Sequence, residues 1–169
     1  HLQKIMIWLG KIDPSPLLRA LRTLGLAEIG IIVGQRFLEI TAPSEEVLLL
    51  MCDLCDQAGY YHQAVVYGLQ GVVLFPTSLP LRRKLAKAYE HLSAWSQALE
   101  EWRYIVANSG SVPDCEDQMA WINCAILAGS YQEALTICQQ VLEKFPDNGM
   151  AYAHLGVVLM LNGEQEEAA

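Results

Sequence analysis

Apolar residues recur at helical spacing along most of the chain, and short polar segments separate them. Residues 115–148 carry two such stripes: Met119, Ile122, Ala125 and Ile126, followed by Ala134, Ile137, Cys138, Val141 and Leu142. Gly129 lies between the stripes and Pro146 follows the second one. Glycine readily ends a helix and proline cannot continue a helix interior. The segment therefore predicts two antiparallel helices, at 115–128 and 131–145, joined by a tight turn.

The polar residues that precede these stripes predict how the helices begin. Ser130 with Glu133 three residues later has the pattern of a capping box. Asp114 or Asp117 is expected to cap the preceding helix. Neither helix buries its apolar stripe alone, so the pair is expected to stack on neighbouring pairs.

One six-residue pattern recurs at a nearly constant interval. The segment GSYQEA at 129–134 is similar to GLAEIG, GYYHQA, SAWSQA and GEQEEA elsewhere in the chain. Their last residues, which are always Ala or Gly, lie 34, 34, 36 and 34 positions apart. Such a period indicates a repeat array. The two additional residues fall in the loop-like segment NSGSVPDC at 108–115, and a small residue at each recurring position lets the paired helices approach closely.

Five units in register resemble the tetratricopeptide repeat (TPR) family. The matching residues are Gly25, Gly59, Gly129 and Gly163 at the turn, Gly30, Ala64, Ala98, Ala134 and Ala168 in the second helix, Tyr89 and Trp102 at aromatic positions, Ala86 and Gly156 at a small position, and Pro76 and Pro146 near the repeat end. Ser93 departs from the turn glycine; Leu18, Cys52 and Ile122 replace a small residue, and Gly68 an aromatic one. The resemblance implies an all-α, right-handed α-solenoid of antiparallel helix pairs.

The array is expected to occupy residues 15–169. Its repeats are predicted at about 11–44, 45–78, 79–114 and 115–148, with a partial repeat at 149–169. The other helices are expected at 15–24, 27–40, 44–58, 61–75, 78–92, 95–108 and 149–162. Residues 1–14 are expected to form an N-terminal helix or the remnant of a preceding repeat. The start at His1 and the end inside a repeat predict an excised fragment of a longer protein.

Four glycines lie inside predicted second helices: Gly30, Gly34, Gly68 and Gly71. Each costs up to about 1 kcal/mol of helix stability relative to Ala. Close packing onto a neighbouring helix is the interpretation we favour for all four.

Composition narrows the classes of function. The formal net charge of −8 argues against non-specific binding of nucleic acid or of an anionic membrane. Cys52 and Cys55 form a CxxC motif without a second ligand pair, so they are interpreted as small buried hydrophobes rather than as a metal or redox site. Reduced cysteines predict a cytoplasmic protein. No nucleophile–base set or phosphate loop is evident, and we expect no catalytic residue, metal or cofactor.

The resemblance also implies that the first helix of each pair lines an inner, concave groove. The residues assigned to this candidate peptide-binding groove are Asp53, Arg83, Lys84, Lys87, Met119 and Asn123. Two interpretations of the basic residues stay open. They form a solvated helix face that pairs with Asp53, Asp56 and Glu90, or they bind a carboxylate from an acidic partner segment.

The predicted function is a non-catalytic protein–protein interaction scaffold that binds a peptide or protein segment in the groove. An alternative is a substrate-recruiting accessory module of a larger enzyme, for example a transferase. A third is self-association, in which the apolar edge of an exposed terminal repeat stacks on another copy.

Overall fold

A computed structural model describes residues 12–110 and 115–167 of the chain. Within these ranges the backbone forms nine helices and no strand. They are α1 Ser15–Thr23, α2 Ala27–Leu38, α3 Glu45–Ala58, α4 Tyr61–Leu74, α5 Leu79–His91, α6 Trp95–Asn108, α7 Cys115–Leu127, α8 Tyr131–Lys144 and α9 Gly149–Glu167. The all-α repeat fold is confirmed. The helix predicted at the N-terminus and the cap predicted at Asp114 lie outside the described residues.

The chain divides into two compact units, His1–Leu92 with α1 to α5 and Ser93–Ala169 with α6 to α9. In the first unit each helix packs against the next, and α3 also packs against α1 and α5. In the second unit α6 to α9 pack in sequence, and α7 also contacts α9. These are the contacts expected of helix pairs that stack on one another. Across the described helices, none combines the length and the apolar character that crossing a bilayer demands.

The turns between paired helices adopt the predicted conformation. Gly25, Gly59 and Gly129 all have φ between 72° and 77°, in the left-handed region. Ser93 occupies the corresponding turn and adopts φ 56° despite its side chain. Ser93 thus keeps the turn conformation of the other repeats, although an L-residue loses free energy there.

Two predicted details of the helix ends are wrong. Helix α9 was expected to end near residue 162 but continues through Gly163 to Glu167. One helical Gly costs about 1 kcal/mol, and the Glu and Gln residues that follow are strong helix formers that offset it. Ser130 makes no side-chain capping hydrogen bond, so the capping box does not form. Its intended partner Glu133 instead accepts hydrogen bonds from Arg103 and Trp121.

The interior of each unit is built from apolar side chains at helical spacing, which in the second unit include residues of the two predicted stripes. In the first unit Leu18, Leu48, Met51, Leu54 and Leu81 are fully buried in one cluster. The cluster includes Cys52 and Cys55, which confirms that the CxxC motif faces the core. In the second unit Ile122, Ile137, Cys138, Val141 and Ala151 form the corresponding cluster.

The glycines inside α2 and α4 mark places where two helices nearly touch. A Cβ atom at Gly30 would lie 2.8 Å from Leu54 Cδ2, and one at Gly71 would lie 2.7 Å from Leu81 Cδ2. At Gly68 the added atom would lie 3.1 Å from Leu85 Cβ and 3.3 Å from Leu85 Cα. Gly34 is similarly close to Met51. Close packing onto a neighbouring helix is thus confirmed as the reason for these glycines.

Replacing Gly68 with Ala tests this contact, because the Leu85 main chain cannot rotate away as a side-chain tip can. Overpacking costs about 1–3 kcal/mol, and the gain in helix propensity returns up to about 1 kcal/mol. We expect the free energy of unfolding, measured by urea titration with circular dichroism, to fall by about 1–2 kcal/mol. Gly156→Ala in α9 is the matched control: its Cβ meets nothing within 4 Å, so it should stabilise by up to about 1 kcal/mol. A stabilised Gly68→Ala variant would contradict the packing argument.

Candidate functional site

Charged side chains gather on the first helices of the first unit, and we call this surface the charged face. Its members are Arg19 and Arg22 on α1, Glu46, Asp53 and Asp56 on α3, and Lys84, Lys87 and His91 on α5. The sign alternates from helix to helix, so the acidic α3 lies against two helices that carry cations. Helices α1 and α3 therefore each have an electrostatic partner in the next repeat.

Asp53 is the centre of this face. Arg22 Nη1 donates a hydrogen bond to Asp53 Oδ2, and Lys84 Nζ forms an ion pair with Asp53 Oδ1. One carboxylate thus joins α1, α3 and α5. The Asp53 side chain is only 20% exposed, so these interactions are screened less than those of ordinary surface pairs.

Two further pairs lie on the same face. Arg19 Nη2 is 2.9 Å from Glu46 Oε1, with both side chains 53% exposed. His91 Nε2 is 3.2 Å from Asp56 Oδ1, and the His91 ring stacks on Tyr61 with ring centroids 4.2 Å apart. Ion pairs of the charged face therefore join α3 to α1 on one side and to α5 on the other.

Arg22 was not among the predicted site residues. Arg22 precedes Asp53 by 31 residues, and Asp53 precedes Lys84 by the same interval. This interval is about one helical turn shorter than the repeat period of 34. Equivalent positions in two repeats lie 34 residues apart, but each of these contacts joins residues 31 apart. A comparison of equivalent positions therefore does not reveal them.

The predicted groove residues fall in both units. Lys84 is paired with Asp53, whereas Lys87 is exposed and has no hydrogen bond or ion pair among the described residues. Arg83 is half-buried and lines a separate cavity beside the turn between α4 and α5. In the second unit, Met119 packs against the core while Asn123 is exposed. The structure therefore brings Asp53, Lys84 and Lys87 together within the first unit.

A small cavity opens between Lys84 and Lys87, and we call it the lysine recess. Its volume is about 100 Å³, and its lining is Cys52, Asp56, Ala64, Lys84, Lys87 and Ala88. The Cys52 thiol donates a 3.7 Å hydrogen bond to the Ala64 carbonyl oxygen. Burial raises the pKa of Cys52 to about 12, so the thiol stays neutral near pH 7. The charges around the recess therefore come from its two lysines and Asp56.

The cysteines do not gather into a metal centre in the part of the chain that the structure describes. All five are free thiols, and no group of three or more His, Cys, Asp or Glu residues there has the arrangement to hold a metal ion. Burial raises the pKa of Cys55 to about 12 as well.

The second unit carries a different charged network, centred on Glu133. Arg103 Nε and Nη2 donate to the two carboxylate oxygens of Glu133 at 2.7 and 2.6 Å. Trp121 Nε1 donates to Glu133 Oε1 at 2.7 Å, and Arg103 Nη1 donates to Glu100 Oε1 at 2.6 Å. The hydrogen bonds from Arg103, with that from Trp121, hold the pKa of Glu133 below its usual value. The network joins α6, α7 and α8, and thereby fixes the helix that carries Met119 and Asn123.

Comparison with known proteins agrees with this architecture. The family model of the tetratricopeptide repeat matches residues 125–169. No curated protein matches the chain at a significant level.

Solved structures with TPR-like repeats superimpose on most of the chain. MamA of strain AMB-1 has a TM-score of 0.74 at 12% identity, over 98% of this chain and 87% of its own. A protein with nearly identical TPR-like repeats from Podosopora anserina has a TM-score of 0.69 at 20% identity, over 91% and 87%. The first TPR domain of human RPAP3 has a TM-score of 0.61 at 21% identity, over 74% and 97%. At these identities the likeness establishes the fold.

The Glu133 network predicts how stability depends on pH. Because the pKa of Glu133 is lowered in the folded state, its contribution is complete above the unfolded value near 4.5 and is lost as pH falls through the folded value. We expect Glu133→Gln to reduce the free energy of unfolding by about 1–2 kcal/mol at pH 7. Below pH 4 the difference from the wild type should shrink.

Urea titrations between pH 3 and pH 7 measure this difference. Glu100→Gln is the matched control, since it removes the exposed partner of the same arginine and should change stability by less than about 0.5 kcal/mol. Equal effects of the two variants, or a difference that does not vary with pH, would refute the assignment.

Proposed function

Since this chain has the tetratricopeptide-repeat fold, with a match to the family model over residues 125–169, we propose that it is a non-catalytic protein-interaction scaffold. The segment that it binds is acidic and extended, and it docks on the charged face of the first unit. Repeat folds of this class generally bind proteins or peptides through the side chains that their helices present.

The observation that carries this proposal is the exposed Lys87 at the edge of the lysine recess. Lys87 has no ion pair among the described residues, and Lys84 lines the same recess 3 positions earlier in α5. Two ammonium groups beside one cavity favour a carboxylate, because charge-assisted hydrogen bonds are stronger than neutral ones. The recess volume of about 100 Å³ suits a single side-chain carboxylate rather than a larger ligand.

The charge of the whole chain restricts what binds at this face. With a formal net charge of −8, the protein repels polyanions at long range, so an acidic segment gains little from general attraction. Binding at Lys87 then depends on local geometry, which favours specific partners over non-specific ones. The accessory-module alternative uses the same face within a larger enzyme, and the same variants test it.

Affinity capture from a cell lysate tests the proposal. We expect Lys87→Glu to lose at least 90% of each specifically captured partner relative to the wild type. The control is Lys144→Glu, which makes the same charge change at an exposed lysine outside the charged face. Circular dichroism establishes that all three proteins are folded. Undiminished capture by the Lys87→Glu variant would exclude the lysine recess of the charged face as the recognition surface.

Self-association is a second candidate, favoured by the apolar side chains of α9. Met150, Tyr152, Val157, Leu159 and Met160 are all exposed on this helix. If α9 stacks on a second copy, the mass from light scattering falls on dilution, and Met150→Glu/Met160→Glu abolishes the concentration dependence. A monomer mass at every concentration tested would exclude this candidate.

A further inference from the structure

Lys84 lies between two possible carboxylate partners. Its ammonium group pairs with Asp53, and the same side chain lines the lysine recess beside Lys87. A carboxylate that enters the recess therefore meets one exposed cation, Lys87, and one cation already held by the protein. The recess is lined by the two lysines and Asp56, and Asp53 outside this lining offsets the charge of Lys84 before any ligand arrives.

We propose that Asp53 is an internal competitor that sets the affinity of the lysine recess for a partner's carboxylate. The inference rests on the proposed function, because it concerns the same acidic segment and the same recess. When the segment binds, Lys84 turns from Asp53 towards the incoming carboxylate, and Asp53 keeps its hydrogen bond from Arg22. The affinity then reflects the difference between the two ion pairs of Lys84.

Burial identifies Asp53 as the competitor among the three acidic residues of the charged face. Its side chain is 20% exposed, whereas Glu46 is 53% and Asp56 is 55% exposed. Exposed ion pairs contribute little, because water and salt screen them and because two long side chains must be ordered. The pair between Asp53 and Lys84 is the least screened of these pairs. Its loss therefore has the largest effect on whether the Lys84 ammonium group is free to bind a partner's carboxylate.

Arg22 makes the exchange of partners feasible. A partly buried carboxylate that loses all its partners pays a large desolvation penalty, which would hold Lys84 in place. Arg22 bonds to Asp53 Oδ2, whereas Lys84 pairs with Asp53 Oδ1. Asp53 consequently remains paired after Lys84 leaves. Without Arg22, the carboxylate depends on Lys84 alone and holds it more strongly.

A merely structural ion pair leads to a different expectation. If Asp53 only fastens α1, α3 and α5 together, its neutralisation changes the affinity for an acidic ligand only through the loss of one negative charge. Glu46→Gln removes the same charge from the same helix and leaves both partners of Asp53 in place. The comparison between Asp53→Asn and Glu46→Gln therefore separates competition from general electrostatics.

The probe is a fluorescein-labelled octaglutamate peptide, and its binding to the full chain is measured by fluorescence anisotropy at 150 mM salt. We expect Asp53→Asn to bind the peptide at least fivefold more tightly than the wild type, and Glu46→Gln to stay within twofold. Lys87→Glu in the Asp53→Asn background should remove the gain. An Asp53→Asn affinity within twofold of Glu46→Gln, with binding still dependent on Lys87, would overturn the inference and leave the proposed function intact.

A second pair of variants keeps the test decisive if Asp53→Asn does not fold. Arg22→Gln and Arg19→Gln each remove one cation from α1, but only Arg22 contacts Asp53. We expect Arg22→Gln to weaken peptide binding at least threefold more than Arg19→Gln. Equal effects of the two would overturn the inference. If Lys87→Glu leaves peptide binding unchanged in every background, the proposed function fails, and the inference fails with it.

Discussion

Close approach of helix backbones is the constraint on which the rest of this structure depends. At Gly30, Gly34 and Gly71, the second helix of a pair meets the first helix of the next repeat with no space for a Cβ atom, and at Gly68 such an atom would lie only 3.1 Å from Leu85 Cβ. Fully buried Ala134 occupies the repeat position equivalent to Gly30 in the second unit. Because these positions fix how far apart the helices lie, they also decide which side chains of α1, α3 and α5 reach one another. The charged face is a consequence of this spacing.

Much of the fold could be predicted because its determinants are local and recur. The small residues at a period of 34, the turn glycines and the apolar stripes gave the bounds of α1 to α8 to within two residues. Ser93 departs from the turn glycine, but the departure did little harm because this residue also adopts the left-handed conformation, with φ 56°. Gly163 shows the limit of the turn glycine as a signal. A glycine permits a helix to end, but it does not force the chain to turn at that position.

The candidate site was less predictable, because its contacts join residues in different repeats. The sequence indicated that Lys84 and Asp53 belong to one face, but Arg22 lies one helical turn away from the equivalent repeat position and was not found. Glu133 was assigned to a helix cap from its local pattern, yet it bonds to Arg103, which is 30 residues away. A local sequence pattern indicates which hydrogen bonds a side chain is able to form. The partner that it actually bonds to depends on which helices pack together.

The alternation of charge in the first unit has a consequence for the order of its repeats. Repeat arrays are often regarded as modular, since every unit has the same backbone frame and stacks on any other. Here α1 and α5 carry cations towards α3, and α3 carries the acids that meet them. Exchanging the repeat that contains α3 with a neighbouring one would place helices of like charge side by side. The units are therefore interchangeable in shape but not in sequence order, and any shuffling or duplication of repeats must preserve the alternation.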